Sequence, residues 1–135
     1  MTARSERDYS GRTLFEKLGV TPEAHVAVAG RHEETFTTGL NQRLAKAASQ
    51  ALRTRYDLIF LRVDDPRDLT RIAGAARHLK PDGALWIFHP KGRGAYPSDA
   101  EVRAAGIAAG LVDNKISAYS DSHTATRFVI PLARR

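Results

Sequence analysis

Two short, almost wholly apolar runs separated by a helical stretch constrain the fold of this 135-residue chain more than any other feature. The first covers residues 56–63 and is interrupted only by Asp57 and Arg62, and the second covers residues 84–88. Strands with so few polar residues are typical of a parallel sheet that helices cover on both faces. The pattern therefore predicts a strand, a helix and a second, parallel strand at the centre of the fold.

The segments before this unit predict a first strand and a long helix. A short run at residues 25–29, closed by Gly30, is typical of a strand. Apolar residues then recur at helical spacing, which predicts a helix over residues 38–54. Between Glu34 and Asp57 the chain has no acidic residue but four basic ones: Arg43, Lys46, Arg53 and Arg55. They predict a solvated basic face, with binding of nucleic-acid phosphates as the functional alternative.

The segments after the central unit predict two further helices and a hairpin. Asp65, followed by proline, is typical of a helix start, because its carboxylate accepts from free amides. Residues 79–83 combine proline and glycine and predict a tight turn into the next strand. Ser98 opens the sequence of a capping box. Residues 112–119 and 125–131 flank a polar turn and predict a C-terminal antiparallel hairpin.

Composition excludes several classes of function. The chain has no cysteine, which removes disulfides, thiol nucleophiles and thiolate metal sites. Its apolar stretches fall short of the roughly 18 residues that a membrane span requires. We therefore expect a cytoplasmic protein with no membrane partner and one domain over residues 1–135, of which residues 1–10 are partly ordered. The formal net charge of +6 favours anionic partners, but the charge is spread along the chain.

Several motifs carry a resemblance to known families. Residues 56–59 (Tyr-Asp-Leu-Ile) and 79–85, followed by the hairpin, resemble the C-terminal half of class I S-adenosylmethionine-dependent methyltransferases. Nearly the whole chain also resembles a short bacterial family catalogued as a domain of unknown function, most specifically at residues 110–115 (Gly-Leu-Val-Asp-Asn-Lys). This sequence has His89 where that family is expected to have tryptophan. The resemblance implies a Rossmann-like sheet.

The chain departs from the methyltransferase pattern where the cofactor binds. Its first strand is followed by a single glycine, Gly30, and only one helix fits between Gly30 and Tyr56. We therefore expect a single-domain α/β, Rossmann-like sheet of about five strands. It would be mostly parallel with a C-terminal antiparallel hairpin, and the second and third methyltransferase strands would be missing. The acid that binds the cofactor ribose would be lost with them, so no cofactor is expected. The first strand would form an exposed edge, through which a homodimer is predicted.

Candidate ligand-binding residues follow from the rule that open α/β sheets bind ligands beyond the carboxyl ends of their strands. They are Gly30, Arg31, Asp64, His89, Lys91, Gly92 and Arg93. The motif Asp113, Asn114 and Lys115, which carries the family resemblance, is a further candidate, with a structural role at the start of the hairpin as the equal alternative. The cations beside glycines can hold a phosphate or carboxylate against backbone amides. No catalytic or metal-binding residue is predicted.

Three functions compete at this point. The leading expectation is a non-enzymatic, methyltransferase-like domain that binds a protein partner or a small anionic ligand. The alternative is a reduced S-adenosylmethionine-dependent methyltransferase, with Gly30, Asp64 and Asp65 lining an unusual site. The second alternative is nucleic-acid binding through the basic helix face.

Overall fold

Five strands form one sheet in the computed structural model, which describes residues 14–135 and leaves the predicted segment 1–10 outside. They are β1 (Val26–Ala29), β2 (Tyr56–Arg62), β3 (Leu79–Pro90), β4 (Val112–Ala118) and β5 (His123–Val129), in the order β1-β2-β3-β5-β4. The first three strands are parallel, whereas β5 is antiparallel to β3 and to β4. The shortened, mostly parallel sheet, its terminal hairpin and the position of β1 at the sheet edge are thereby confirmed.

Helices cover both faces of the sheet. They include α1 (Glu34–Arg43), α2 (Arg71–Ala76) and α3 (Asp99–Ala108), with 3-10 helices at Pro66–Thr70 and Leu132–Arg134. A helical turn at residues 14–17 precedes β1. Asp65 and Ser98 both form capping boxes, as predicted. None of the helices within residues 14–135 is long and apolar enough to cross a membrane.

Two hydrophobic cores lie on opposite faces of the sheet. On one face, Phe36 of α1 packs with Trp86 and Phe88. On the other, Ile72 of α2 and Val102 of α3 pack with the same strands. The side chains of β2 and β3 point alternately into the two cores, so nearly every residue of these strands is apolar.

The helix predicted over residues 38–54 is wrong in its second half. It ends at Arg43, and Leu44 is already extended, with ψ of 139°. The chain then returns to the outer side of β1, where Ser49 forms a parallel bridge with Ala27. Ser49 O accepts from Val28 N at 2.8 Å and Ser49 N donates to Val26 O at 2.8 Å. These hydrogen bonds pair backbone groups at the outer edge of β1, which would otherwise have no partner. That gain outweighs the helix preference of the apolar spacing in residues 44–54.

The tight turn predicted at residues 79–83 is also corrected. Leu79 already pairs with Tyr56, and Ala84 pairs with Leu58, so the four intervening residues bulge out of the β2–β3 ladder. Gly83 lies at the return, where a Cβ atom would come within 2.8 Å of the Tyr56 carbonyl oxygen. A larger side chain would be excluded at this close approach.

Candidate functional site

The carboxyl edge, where β1, β2 and β3 end, carries two cavities that meet at Gly30 and Arg31. The smaller, of about 380 Å³, is also lined by residues of α1 and of the bridge segment: Val28, His32, Glu34, Thr37 and Gln50. The larger, of about 620 Å³, is also lined by the end of β2 and the following 3-10 helix: Arg62, Asp64, Asp65, Arg67, Asp68 and Arg71.

Gly30 allows the chain to turn sharply between these cavities. Its φ is +86°, a left-handed conformation that glycine adopts without strain. A Cβ atom at this position would lie 2.8 Å from the carbonyl oxygen of Arg62 on the neighbouring strand. The close approach of β1 and β2 therefore requires glycine here.

An aspartate–histidine pair spans the carboxyl edge above β3. Asp64 follows β2, His123 begins β5, and their Oδ1 and Nε2 atoms are 2.6 Å apart. Arg62 Nε donates to the same carboxylate at 3.0 Å. Burial favours a higher pKa for Asp64, but the hydrogen bonds from His123 and Arg62 outweigh it and hold the pKa below its usual range. Asp64 is therefore ionised and orients the imidazole.

The tautomer of His123 follows from this ionisation. An ionised carboxylate only accepts hydrogen bonds, so His123 Nε2 carries the proton that it donates to Asp64. The other ring nitrogen, Nδ1, lies 2.7 Å from Ser122 Oγ. In the neutral ring Nδ1 accepts, and Ser122 donates. A buried histidine that is held by an aspartate and reached through an exposed hydroxyl is the arrangement of a general base.

Glu33 and Tyr119 lie on the other side of Arg62 from Asp64. Tyr119 donates its hydroxyl to Glu33 Oε1 at 2.8 Å, and Arg62 Nη1 lies 3.6 Å from the same oxygen. Burial and the hydrogen bond to Glu33 raise the pKa of Tyr119, so it stays a neutral donor. Its ring stacks on Phe88 at 4.5 Å. The guanidinium thus lies between two carboxylates, hydrogen-bonded to Asp64 through Nε and within ion-pair distance of Glu33, while its buried Nη1 has no hydrogen-bond partner among residues 14–135.

His89 is buried and does not line an open ligand site, in contrast to our prediction. It is 1% exposed, and its Nε2 lies 2.8 Å from Thr126 Oγ1. Its Nδ1 lies 3.5 Å from Asp99 at the start of α3. Burial lowers the pKa of His89, although Asp99 partly opposes this. His89 is therefore held between β5 and the start of α3.

The candidates Lys91, Gly92 and Arg93 lie in an exposed loop at the same edge. Lys91 N donates to Ser122 O at 3.1 Å, which ties the loop to the turn that carries His123. The structure thus brings Gly30, Arg31, Asp64 and this loop to one edge, as the sequence predicts.

Asp113, Asn114 and Lys115 lie at the opposite end of the sheet, which we call the amino edge. Asp113 pairs with Phe128, far along β5 from His123, and binds Arg103 at 3.3 Å. Lys115 lines a separate cavity of about 600 Å³. These residues therefore lie at the start of the hairpin, apart from the other candidates, and a role for them in binding stays a prediction. An antiparallel hairpin carries its first residues away from the carboxyl edge.

The four basic residues after Glu34 do not form one helix face, because the helix ends before three of them. Arg43 lies 4.4 Å over the Phe15 ring, and Arg55 donates to the Leu79 carbonyl. Lys46 and Arg53 are exposed on the irregular segment between α1 and β2. The basic helix face that motivated the nucleic-acid alternative is not formed.

The polar network around Asp64 contains five residues that were not among the sequence candidates. Arg62 and His123 contact Asp64, Ser122 and Glu33 contact those two, and Tyr119 donates to Glu33. Their signal lies in the hairpin register, because antiparallel pairing of β5 with β3 places His123 opposite Pro90.

No family model and no curated protein matches the chain. Among solved structures it is similar to magnesium protoporphyrin IX methyltransferase from Synechocystis PCC 6803 with bound S-adenosylhomocysteine. The TM-score is 0.66 at 13% identity, over 95% of this chain and 85% of that chain. For the same enzyme with bound S-adenosylmethionine, the TM-score is 0.65 at 14% identity, over 96% of this chain and 82% of that chain. For an O-methyltransferase family protein from Burkholderia thailandensis, the TM-score is 0.64 at 14% identity, over 87% of this chain and 54% of that chain. These likenesses show a methyltransferase-like Rossmann fold.

The comparisons correct our leading functional expectation. We expected a non-enzymatic domain, because the chain has one glycine after β1 and lacks two strands. That expectation is wrong: the fold of nearly the whole chain matches methyltransferases solved with S-adenosylmethionine or S-adenosylhomocysteine bound. The reduced-methyltransferase alternative is the one that they favour, and the expectation that no cofactor binds is not confirmed.

Proposed function

We propose that the chain is an S-adenosylmethionine-dependent methyltransferase with a shortened sheet. The observation that carries the proposal is the juxtaposition, at one edge of this fold, of two cavities around Gly30 and an Asp64–His123 pair. A cofactor cavity beside an oriented base is what methyl transfer to a hydroxyl or amine requires.

The polar residues around Gly30 suit the groups of S-adenosylmethionine. Its ribose hydroxyls need hydrogen-bonding partners, which Gln50 and Glu34 offer in the smaller cavity. Its carboxylate needs a cation, and the exposed Arg31 lines both cavities. Its positively charged amino and sulfonium groups need a carboxylate, which Asp65 offers in the larger cavity beside its ion pair with Arg67.

Gln50 takes on particular importance because the strand that would carry the ribose-binding acid is missing. Ser49, the residue before it, forms the bridge on the outer side of β1, where a further parallel strand would lie. The single bridge thus brings a polar side chain to the edge of the smaller cavity. We assign to Gln50 the ribose contact that an acid would otherwise make.

When bound, S-adenosylmethionine supplies an electrophilic methyl group on a sulfonium sulfur. This chain's residues handle the proton that the acceptor hydroxyl or amine loses. The exposed Ser122 hydroxyl donates to His123 Nδ1, so an acceptor that hydrogen-bonds to Ser122 passes its proton through it to the imidazole. The carboxylate of Asp64 stabilises the imidazolium that forms. General base catalysis of this kind contributes about 10²–10⁴-fold to the rate.

Isothermal titration with S-adenosylhomocysteine tests the proposal. We expect a dissociation constant below about 100 μM, or roughly −5.5 kcal/mol. Gln50→Leu is expected to weaken binding about tenfold, since it leaves a buried ribose hydroxyl without a partner. Gln42→Leu, the same change on an exposed position of α1, serves as the matched control. Absence of heat at millimolar ligand would overturn the proposal.

Other expectations remain proposals alongside this one. Membership of the short bacterial family that residues 110–115 resemble is one of them. A cytoplasmic location and self-association through a sheet edge also remain predictions. The bridge at Ser49 occupies the outer side of β1, so β4 is the edge strand on which self-association would depend.

A further inference from the structure

A loop at residues 91–95 lies beside the proposed base and takes no part in the proton transfer. We propose that this loop binds an oxyanion, a carboxylate or phosphate, carried by the small molecule that accepts the methyl group. The inference rests on the methyl-transfer function proposed above and adds the chemical class of its acceptor.

The backbone of the loop exposes donors. Gly92 and Gly94 have φ of +99° and +80°, and a Cβ atom on either would meet nothing within 4 Å. Lys91 N and Ala95 N donate to Ser122 O and Gly92 O. Among residues 14–135, the three amides between them have no backbone or side-chain acceptor: those of Gly92, Arg93 and Gly94. Consecutive free amides in a glycine turn are a common way to bind an anion.

The two cations of the loop are unpaired. Lys91 and Arg93 are exposed and form no ion pair within the described part of the chain. Arg62 balances the charge of Asp64. Asp99 and Asp121 remain as acids near the loop, because burial lowers the pKa of the histidine beside Asp99 and so disfavours its positive charge. The preference for an anion therefore rests on the free amides and the two unpaired cations, and not on a net positive charge.

The position of the loop links this anion site to the base. Pro90 pairs with His123 across the sheet, and the loop begins at the next residue. The hydrogen bond from Lys91 N to Ser122 O fixes the loop to the residue that delivers the proton. One small acceptor can therefore place its oxyanion on the loop and its nucleophilic atom at Ser122.

The test is a titration of the full, ¹⁵N-labelled chain with inorganic phosphate, followed by amide NMR. We expect saturable shifts of the Gly92, Arg93 and Gly94 amides. Arg93→Gln is expected to weaken phosphate binding about tenfold, the usual effect of losing one charge-assisted hydrogen bond. Lys46→Gln removes the same charge from an exposed position away from the loop and is expected to leave binding unchanged.

Three outcomes would overturn the inference. If phosphate shifted other amide signals but not those of the loop, the binding would be non-specific. The same would follow if Arg93→Gln and Lys46→Gln lost equal phosphate affinity. A short oligonucleotide that binds far more tightly than phosphate, with a steep salt dependence, would indicate a nucleic-acid surface instead.

Titration of Arg93→Gln with S-adenosylhomocysteine separates this inference from the proposed function. Unchanged cofactor affinity together with lost phosphate binding supports an acceptor subsite. If the wild-type chain bound phosphate on the loop but no S-adenosylhomocysteine, the methyltransferase proposal would fail. The assignment of the loop to a methyl acceptor would fail with it, while oxyanion binding itself would stand.

Discussion

The two edges of the sheet have cavities of similar size but different chemistry. At the carboxyl edge, the 620 Å³ cavity is lined by Asp64, whose side chain is 46% exposed but is held by a buried histidine and by a guanidinium whose side chain is 13% exposed. At the amino edge, the 600 Å³ cavity is lined by Asp57, whose ion pair with Lys80 is between side chains 37% and 40% exposed. Ordered, desolvated ionisable groups mark a reactive site better than cavity volume does.

The largest expected effect is the loss of turnover when the base is removed. His123→Gln is expected to lower kcat about 10²–10³-fold, because the proton acceptor is lost. S-adenosylhomocysteine affinity should stay unchanged in the same variant. The matched change at the amino edge, Lys115→Gln, should leave kcat as it is. Steady-state kinetics with an identified acceptor measures kcat of both variants. An equal loss of kcat in the two would contradict the functional difference between the edges.

A second comparison sets two glycines against each other. Gly30→Ala is expected to lower the free energy of unfolding by about 3 kcal/mol, because a left-handed φ and a clash with the Arg62 carbonyl add together. Gly19, beside the amino-edge cavity, has φ of +79° but open space around its missing Cβ. Gly19→Ala should therefore cost only about 1 kcal/mol of backbone strain. Urea unfolding gives both values, and equal costs would show that the β1–β2 approach relaxes easily.

The smallest expected effect is a pH dependence of stability. Burial holds the pKa of His89 below the 6.5 of the unfolded chain, so the unfolded state binds more protons once the pH falls through that value. Stability is therefore expected to decrease from pH 7 to pH 5, above the range in which carboxylates titrate. His89→Gln should reduce the slope, while His32, whose pKa burial also lowers, keeps part of it. Thermal melts at several pH values measure this, and an unaltered slope in His89→Gln would contradict it.

Local patterns were sufficient for the elements that carry most of the fold. Asp65 and Ser98 cap helices as predicted, because the signal for a cap lies within four residues of sequence. The helix over residues 38–54 failed for the opposite reason. Its apolar spacing was helical, but the backbone of β1 needed a partner that only the folded sheet presents, and Ser49 supplies it.

The candidate site shows the same division. Gly30 and Asp64 were predicted from their place after strands, whereas His123 was not, because it is 59 residues from Asp64. Its position depends on the register between β5 and β3, which a single sequence does not encode in any short window.

The sequence was sufficient to predict the alternation of strands and helices and the hairpin, which follow from local hydrophobic spacing and backbone preferences. The loss of two strands and the edge position of β1 followed from the resemblance to methyltransferases. The tertiary structure decided where the first helix ends, which edge carries Asp113–Lys115 and which histidine Asp64 holds. Those features depend on strand register and on hydrogen bonds between residues far apart in the chain, and such contacts exist only once the sheet has formed.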